Sequence, residues 1–364
     1  MSRGADGMRI VRVVGFGMPA TGEDTVLEEL GRGYLAAGHD PVLVRPGPEP
    51  GRSHAGSGWC CTVPGLPYPG GRRMVAYRRP LLRVLEDLAA DRLEVCDQLT
   101  LGYLGPWARA NGVPALLVAR RRLDALLRTS PWLPAERAAD AWNRRLSRRF
   151  DKIVVASRYG AAEFQRIAAR NVVRVPFGVD LSVFHPGAAD QRWRGTADVL
   201  LATVTGLYPG KRPMLAVRTL AELRRAGVDA RLVVAGDGPL LGRLRQAAEG
   251  LPVSFAGHLS SRAEVAGLLA AADVALATAP AQTFGLATLE ALACGTPVVT
   301  PDEGALPELL ATGAGRAVPA EPAELARAVC DLLDPRAGAA ARARAELFPW
   351  AAAVTGMLRA HAAR

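Results

Sequence analysis

The chain has 364 residues, too many for one typical core and enough for two, and 49% are hydrophobic, yet no run of about 18 uncharged apolar residues offers a membrane-spanning helix. The net charge of +10 is carried almost wholly by arginine, because Lys152 and Lys211 are the only lysines. In a chain this rich in Ala, Gly and Pro, that pattern favours compositional bias and a solvated surface, and no aromatic-interleaved basic patch points to nucleic acid.

Residues 9–16, RIVRVVGF, predict a buried first strand. The turn GFGMPATGED follows, then a helix to about Leu35, a stop at Gly38-His39 and a second strand, PVLVR. Gly15, Gly17 and Ala20 make a G-x-G-x-x-A match where a dinucleotide fingerprint belongs, which keeps an NAD(P)-dependent oxidoreductase open as an alternative class. Against it, Pro19 falls in the tight turn and the second strand ends in Arg45, not in an acid for a ribose. Residues 46–74, dense in Pro and Gly, predict a long surface excursion. A helix over roughly 80–90 lines up Leu81, Leu82, Leu85 and Leu88. LEVCDQ reads as a strand, LGYLGPWARANG as a helix and PALLVA as a strand. The Arg-rich 120–150 region predicts amphipathic helices, and DKIVVAS and RYGAAEFQRI the next strand and helix.

From Asn171, NVVRVPFGVDLSVFHP reads as a strand, a turn and a polar exit. The second half repeats the alternation: VLLATVTG, PMLAVRTLAELRRAG, ARLVVAGDGP, LLGRLRQAAEG, VSFAGHLS, RAEVAGLLAAA and DVALATA. Strands separated by helices of this length predict parallel sheets with right-handed crossovers, which bind ligands at strand C-terminal ends. TVTGLYPGK, AGDGP, AGHLS and APAQTFG all fall there.

The stretch 276–301, LATAPAQTFGLATLEALACGTPVVTP, is the most informative. A small-residue loop runs to Gln282. Phe284, Gly285 and Leu286 open a short helix carrying Glu290, which Gly295 and Pro297 end. Unpaired N–H groups and the positive dipole end at such a start favour an anion. The five cysteines, Cys60, Cys61, Cys96, Cys294 and Cys330, contain no C-x-x-C, and the N-terminus lacks a secretory apolar segment. A reducing cytoplasm is expected, with no zinc or other metal site.

These residues resemble the E-x7-E region of the retaining glycosyltransferases of family 4, with Glu290 at the second Glu and Gln282 at the first. The segment from Asn171 resembles the V-P-N-G-V-D-x-x-x-F interdomain segment of the same family, with Phe177 in place of Asn. The whole pattern is similar to the actinobacterial GDP-mannose-dependent mannosyltransferases that build phosphatidylinositol mannosides. The resemblance implies an α/β GT-B fold of two Rossmann-like parallel-sheet domains facing a central cleft. Residues 1–180 would form the acceptor-side domain, joined by a returning helix over 345–364 anchored by Trp350, and residues 181–344 the nucleotide-sugar domain. It implies that Lys211 contacts the donor diphosphate, that Glu290 binds the ribose, and that the Phe284-Gly285-Leu286 helix start receives the diphosphate. A surface cap on the next helix is the plainer reading of Lys211. Gly236 and Gly238 belong to a GDGP turn, which fits closely under the nucleotide or is a simple tight turn, and His258 is either a nucleotide-side contact or a loop histidine.

Four positions depart from the family pattern: Gly22-Glu23 replaces Gly-Gly in the first loop, Gly206 an Arg, Arg120 a sugar-site His, and Gln282 the first Glu. With Gly22 in the phosphate loop and Arg120 and Gln282 in catalytic positions, the expected activity is retaining transfer from a nucleoside diphosphate sugar, GDP-sugar favoured. The acceptor is expected to be a small molecule, such as a thiol or amine of a natural-product pathway that arrives already ionised. A phosphatidylinositol-type lipid acceptor, with a peripheral membrane contact, and a catalytically silent nucleotide-binding protein are the alternatives. No cofactor beyond the donor is expected.

Overall fold

The computed structural model describes residues 7–17, 22–68, 72–128 and 134–362, without the side chains of 22–24. The chain divides into two compact units. One consists of the described residues up to Phe177 together with those from Trp350, the other of Gly178–Pro349.

In chain order the first unit holds β1 (Arg9–Val13), β2 (Phe16–Gly17), α1 (Gly22–Ala36), β3 (Asp40–Gly47), β4 (Gly51–Ala55), β5 (Gly58–Tyr68), β6 (Arg72–Val75), α2 (Arg78–Leu88), β7 (Arg92–Val95), α3 (Leu104–Ala110), β8 (Ala115–Ala119), α4 (Leu123–Leu127), α5 (Ala135–Ser147), β9 (Lys152–Val155), α6 (Arg158–Gln165) and β10 (Val172–Arg174). Strands β10-β9-β8-β7-β1-β3-β5 pair in parallel, and β4, β6 and β2 extend the β5 edge antiparallel. The order reverses between β1 and β7, the switch point at which such sheets open a crevice. β8, ALLVA, is buried throughout, as expected of a parallel strand with both faces covered. Leu81, Leu85 and Leu88 of α2 are buried in this core. Each contributes about 1.5–3 kcal/mol, so this stripe holds a helix with three arginines on its other side.

The surface excursion expected over 46–74 is instead three strands. Cys61, Val63 and Gly65 of β5 point inward at alternate positions, and Val42↔Trp59 opens its register with β3. The Gly and Pro density hid this period of two. The prolines of β5 fall where the strand pairs on one side only, Pro64 with β3 past the end of β4 and Pro67 with β6 past the end of β3, so a missing N–H is tolerated there.

The second unit holds β11 (Val199–Val204), α7 (Pro213–Arg225), β12 (Ala230–Ala235), α8 (Leu241–Ala247), β13 (Val253–Gly257), α9 (Arg262–Ala271), β14 (Val274–Leu276), α10 (Leu286–Ala293), β15 (Val298–Pro301), α11 (Leu306–Leu309), β16 (Gly315–Val318), α12 (Pro322–Asp331) and α13 (Arg336–Ala345). Its sheet, β13-β12-β11-β14-β15-β16, is wholly parallel and reverses between β11 and β14. Separate apolar clusters cover its two faces.

The last helix, α14 (Trp350–Ala362), belongs to the first unit, whereas α13 packs on α10 in the second, so the chain changes unit at Trp350 rather than at 345. The Trp350 ring stacks on Phe177 at 6.5 Å, and Val354 lies against Gly33, where a Cβ would come within 2.2 Å of it. His361 Nε2 meets buried Glu94 Oε1 at 2.8 Å, and Tyr34 donates to the same oxygen at 2.5 Å. Burial alone would raise the Glu94 carboxyl, but His361 and Arg12 hold it below the ordinary carboxylate range.

Candidate active site

In the second unit the candidate residues gather at the β11/β14 switch point. β11 exits into Thr205–Leu207, and a short 3₁₀ turn, Pro209–Lys211, delivers Lys211 just ahead of α7. Its backbone is fixed from both sides: Lys211 N–H donates to Tyr208 O at 2.9 Å, and Lys211 O accepts from Thr278 Oγ1 at 2.9 Å. Thr278 lies just past β14 in the loop that carries Gln282. The Gln282 amide satisfies both neighbours in one orientation: Oε1 accepts from Lys211 Nζ at 3.0 Å, and Nε2 donates to Phe284 O at 2.9 Å. The structure thus joins Lys211, Gln282 and Phe284 in one chain of contacts. Gln282, Thr205, Thr278 and Thr288 line a cavity of about 30 Å³ beside it.

Gly285 precedes the first residue of α10, Leu286, and its lack of a side chain serves packing, since a Cβ would lie 2.2 Å from the Leu306 side chain. Glu290 stands one turn further along and is partly buried. Burial pushes its carboxyl up to about 7, with Arg262 pulling the other way. Cys294, next along this face, is pushed up to about 12 by burial and by Glu290, so it is an inert thiol.

The GDGP turn packs under the first loop. Leu207 N–H donates to Asp237 O at 2.9 Å and Gly236 N–H to Gly257 O at 2.7 Å. Gly236 has φ 140°, and a Cβ there would lie 1.9 Å from Thr205 O; at Gly238, φ 156°, it would lie 2.6 Å from Leu207 O. Backbone packing alone therefore requires both glycines. His258 follows β13 and is exposed.

In the first unit the strand exits line a separate pocket of about 60 Å³. Gly15 after β1, Asp97 and Gln98 after β7, and Arg120 and Arg121 after β8 form its polar wall. Gly15 is explained here: a Cβ would fall 2.0 Å from Asp97 Oδ2. The Asp97 carboxylate accepts from Leu99 N–H at 2.8 Å, Thr100 N–H at 3.3 Å and the Thr100 hydroxyl. Gly17 lies in β2, paired with Arg73, so the glycines of the dinucleotide-like match serve sheet packing. Gly22 is the first residue of α1; residues 18–21 of its turn, including Pro19 and Ala20, lie outside the described residues.

Sequence reasoning missed Asp97, Gln98 and Thr278. An acid at the C-terminal end of a parallel strand was the available signal for Asp97. A lone Thr in a small-residue loop gave none for Thr278.

Among the described residues no cluster of His, Cys, Asp or Glu could hold a metal ion, and no helix is long and apolar enough to cross a membrane. The family model Glycosyltransferase Family 4 matches residues 20–183, and Glycosyl transferases group 1 matches residues 198–335. A GDP-mannose-dependent alpha-(1-6)-phosphatidylinositol dimannoside mannosyltransferase of Mycobacterium tuberculosis is 41% identical, covering 96% of this chain and 95% of its own. A GDP-mannose-dependent alpha-mannosyltransferase of Mycolicibacterium smegmatis is 31% identical over 64% of this chain and 62% of its own. Among solved structures, a sucrose-phosphate synthase from Thermosynechococcus elongatus superposes with TM-score 0.80 at 20% identity, covering 97% and 98% of the two chains. Anabaena HepE, solved with UDP and glucose, superposes with TM-score 0.77 at 18% identity, covering 98% of this chain and all of its own.

Proposed function

The chain belongs to the family 4 retaining glycosyltransferases of GT-B fold, and we propose that it moves mannose from GDP-mannose to a phosphatidylinositol mannoside. The observation that carries the donor half is the Lys211–Gln282 contact beside the start of α10. An ammonium and the unpaired first N–H groups of a helix converge there, the arrangement a departing diphosphate needs. Glu290, when ionised, would accept hydrogen bonds from the ribose hydroxyls. Retention requires no protein nucleophile: Lys211 and the helix start stabilise the leaving group, and the acceptor oxygen attacks from the face it vacates.

The acceptor half rests on the M. tuberculosis relative, which spans nearly the whole chain. It moves the reading away from a thiol or amine acceptor and toward a lipid. The first unit's pocket, with Asp97, Gln98, Arg120 and Arg121, is the proposed acceptor side. The test is transfer of radiolabel from GDP-mannose to vesicles bearing phosphatidylinositol mono- or dimannoside, with a panel of small thiols and amines alongside. Label in the lipid supports the proposal; label only in a small acceptor, or stabilisation by UDP but not GDP in a thermal shift, refutes it.

A further inference from the structure

The exit from β8 is three consecutive arginines leading into the five-residue helix α4. Like charges repel, and a helix this short does not hold itself. Side chains from other elements fix it. Gln98 Oε1 accepts from Arg121 N–H at 3.2 Å. The Arg122 guanidinium forks onto Asp124 and lies over the Tyr159 ring at 4.3 Å. Asp124 accepts also from Arg166 Nη1 at 3.1 Å, and Arg166 in turn bonds Asp140 of α5. These charges neutralise one another.

Glu163, on α6, is different. It is fully buried, and its Oε2 accepts from Leu123 N–H at 2.9 Å, capping α4 from a distant element. Its Oε1 closes no well-formed hydrogen bond among the described residues, although the Asn143 amide of α5, also fully buried, and the Asp124 N–H lie close enough to lower the carboxyl. Around it stand Arg122 and Asp124 of the held segment and Tyr159 of its own helix, while Arg166, just past that helix, holds Asp124. Burial pushes the carboxyl up to about 6; the Leu123 N–H lowers it, the Asp124 charge adds to the rise, and the Asn143 amide and the Asp124 N–H oppose it. A buried carboxylate with an orphaned oxygen burdens the fold, and a glutamine of the same shape would spare that burden.

We infer that Glu163 is a positioning residue for the transfer reaction: through the Leu123 amide it fixes the strand exit that presents Arg120 and Arg121 to the first unit's pocket. The inference rests on reading that pocket as part of the active site. The ionised carboxylate is kept because the neutral side chain holds this segment less firmly.

The experiment compares wild type with Glu163→Gln in hydrogen exchange, thermal unfolding and turnover of GDP-mannose with phosphatidylinositol dimannoside vesicles. Losing one charge-assisted bond should speed amide exchange over residues 120–127 about tenfold, leaving β1 unchanged. A raised carboxyl takes up protons in the native state between its unfolded value of 4.5 and about 6, so its burden on stability grows across that window and is full above it. The variant should therefore unfold at an equal or higher temperature at about pH 8. Its kcat should fall several-fold, and the wild-type loss of kcat below about pH 6 should disappear. A more stable variant with unchanged kcat, pH profile and exchange would overturn the inference, as would a kcat loss that merely follows a lowered unfolding temperature. If neither protein turns over GDP-mannose while the exchange responds as expected, the substrate reading fails and the positioning stands. Should the variant not fold, wild type alone carries the test: exchange in 120–127, corrected for its intrinsic rate, must quicken as pH falls through about 6, and a flat profile refutes the inference.

Discussion

Replacing Gln282 with Glu puts a carboxylate oxygen where the amide oxygen now accepts from Lys211 Nζ at 3.0 Å. The amide orients the ammonium without cancelling its charge; a carboxylate would orient it and cancel it. Two unit charges at about 4 Å interact by about 1 kcal/mol in water and about 4 kcal/mol at the effective dielectric of a protein surface, and both side chains are partly exposed, which favours the lower figure. A diphosphate bound at Lys211 brings two negative charges to about 5 Å from the new carboxylate, a repulsion of about 1–2 kcal/mol in a water-like dielectric. GDP should therefore bind about 5- to 30-fold more weakly to Gln282→Glu, while guanosine binds as before. Calorimetry with GDP and guanosine at about 0.02 M and about 0.3 M salt checks this, because the loss must shrink as screening grows. Unchanged or tighter GDP binding, or an equal loss for guanosine, refutes the electrostatic argument. Transfer from GDP-mannose should be unchanged or lower in this variant. The triple variant with Arg120→His and Gly206→Arg tests the silent-protein alternative; Gly206 lies under the Tyr208 ring, where a Cβ would sit 3.0 Å from it, so the ring must move. Robust transfer by the triple variant with none by wild type would show that the natural residues are losses, not adaptations.

Lys211→Ala should weaken GDP by about 1.5–3 kcal/mol and leave guanosine unchanged, measured by the same calorimetry. Glu290 stands at about 7 against 4.5 unfolded, so its burden on stability grows as pH rises from 4.5 through 7; Glu290→Gln should recover at most about 3 kcal/mol at about pH 8 and almost nothing at about pH 4, by urea unfolding. Wild-type GDP binding should release a proton and tighten between about pH 6 and about pH 8, and Glu290→Gln should show neither effect in calorimetry across buffers of different ionisation enthalpy. His361→Ala leaves Glu94 buried without its main partner and should destabilise the chain by about 3–5 kcal/mol, read as a lower urea midpoint and faster exchange in α14. In wild type the lowered Glu94 carboxyl contributes stability above 4.5 that is lost as pH falls below it.

Periodicity made both sheets legible. Strands such as ALLVA and VLLATV, buried on both faces, and helices with one leucine stripe leave a local mark that needs no tertiary knowledge. The helix start at Gly285, its stop at Gly295 and Glu290 within it were readable for the same reason, because caps and breakers act within a turn of themselves. Tertiary structure decided the rest. The strands within 46–74 exist because β5 finds a parallel partner in β3 and then pairs antiparallel with β4 and β6, and no local propensity in a run of Gly and Pro announces such partners. The sequence leaves the glycines at 15, 236 and 238 open between a ligand and a plain tight turn, and the fold supplies the atoms they make room for: Asp97, Thr205 O and Leu207 O, each brought by another strand exit. The Lys211–Gln282 contact and the Glu163 hold on Leu123 are likewise long-range. Each joins loops or helices that only the sheet order places side by side, so the sequence names the chemical groups while the fold chooses which of them meet.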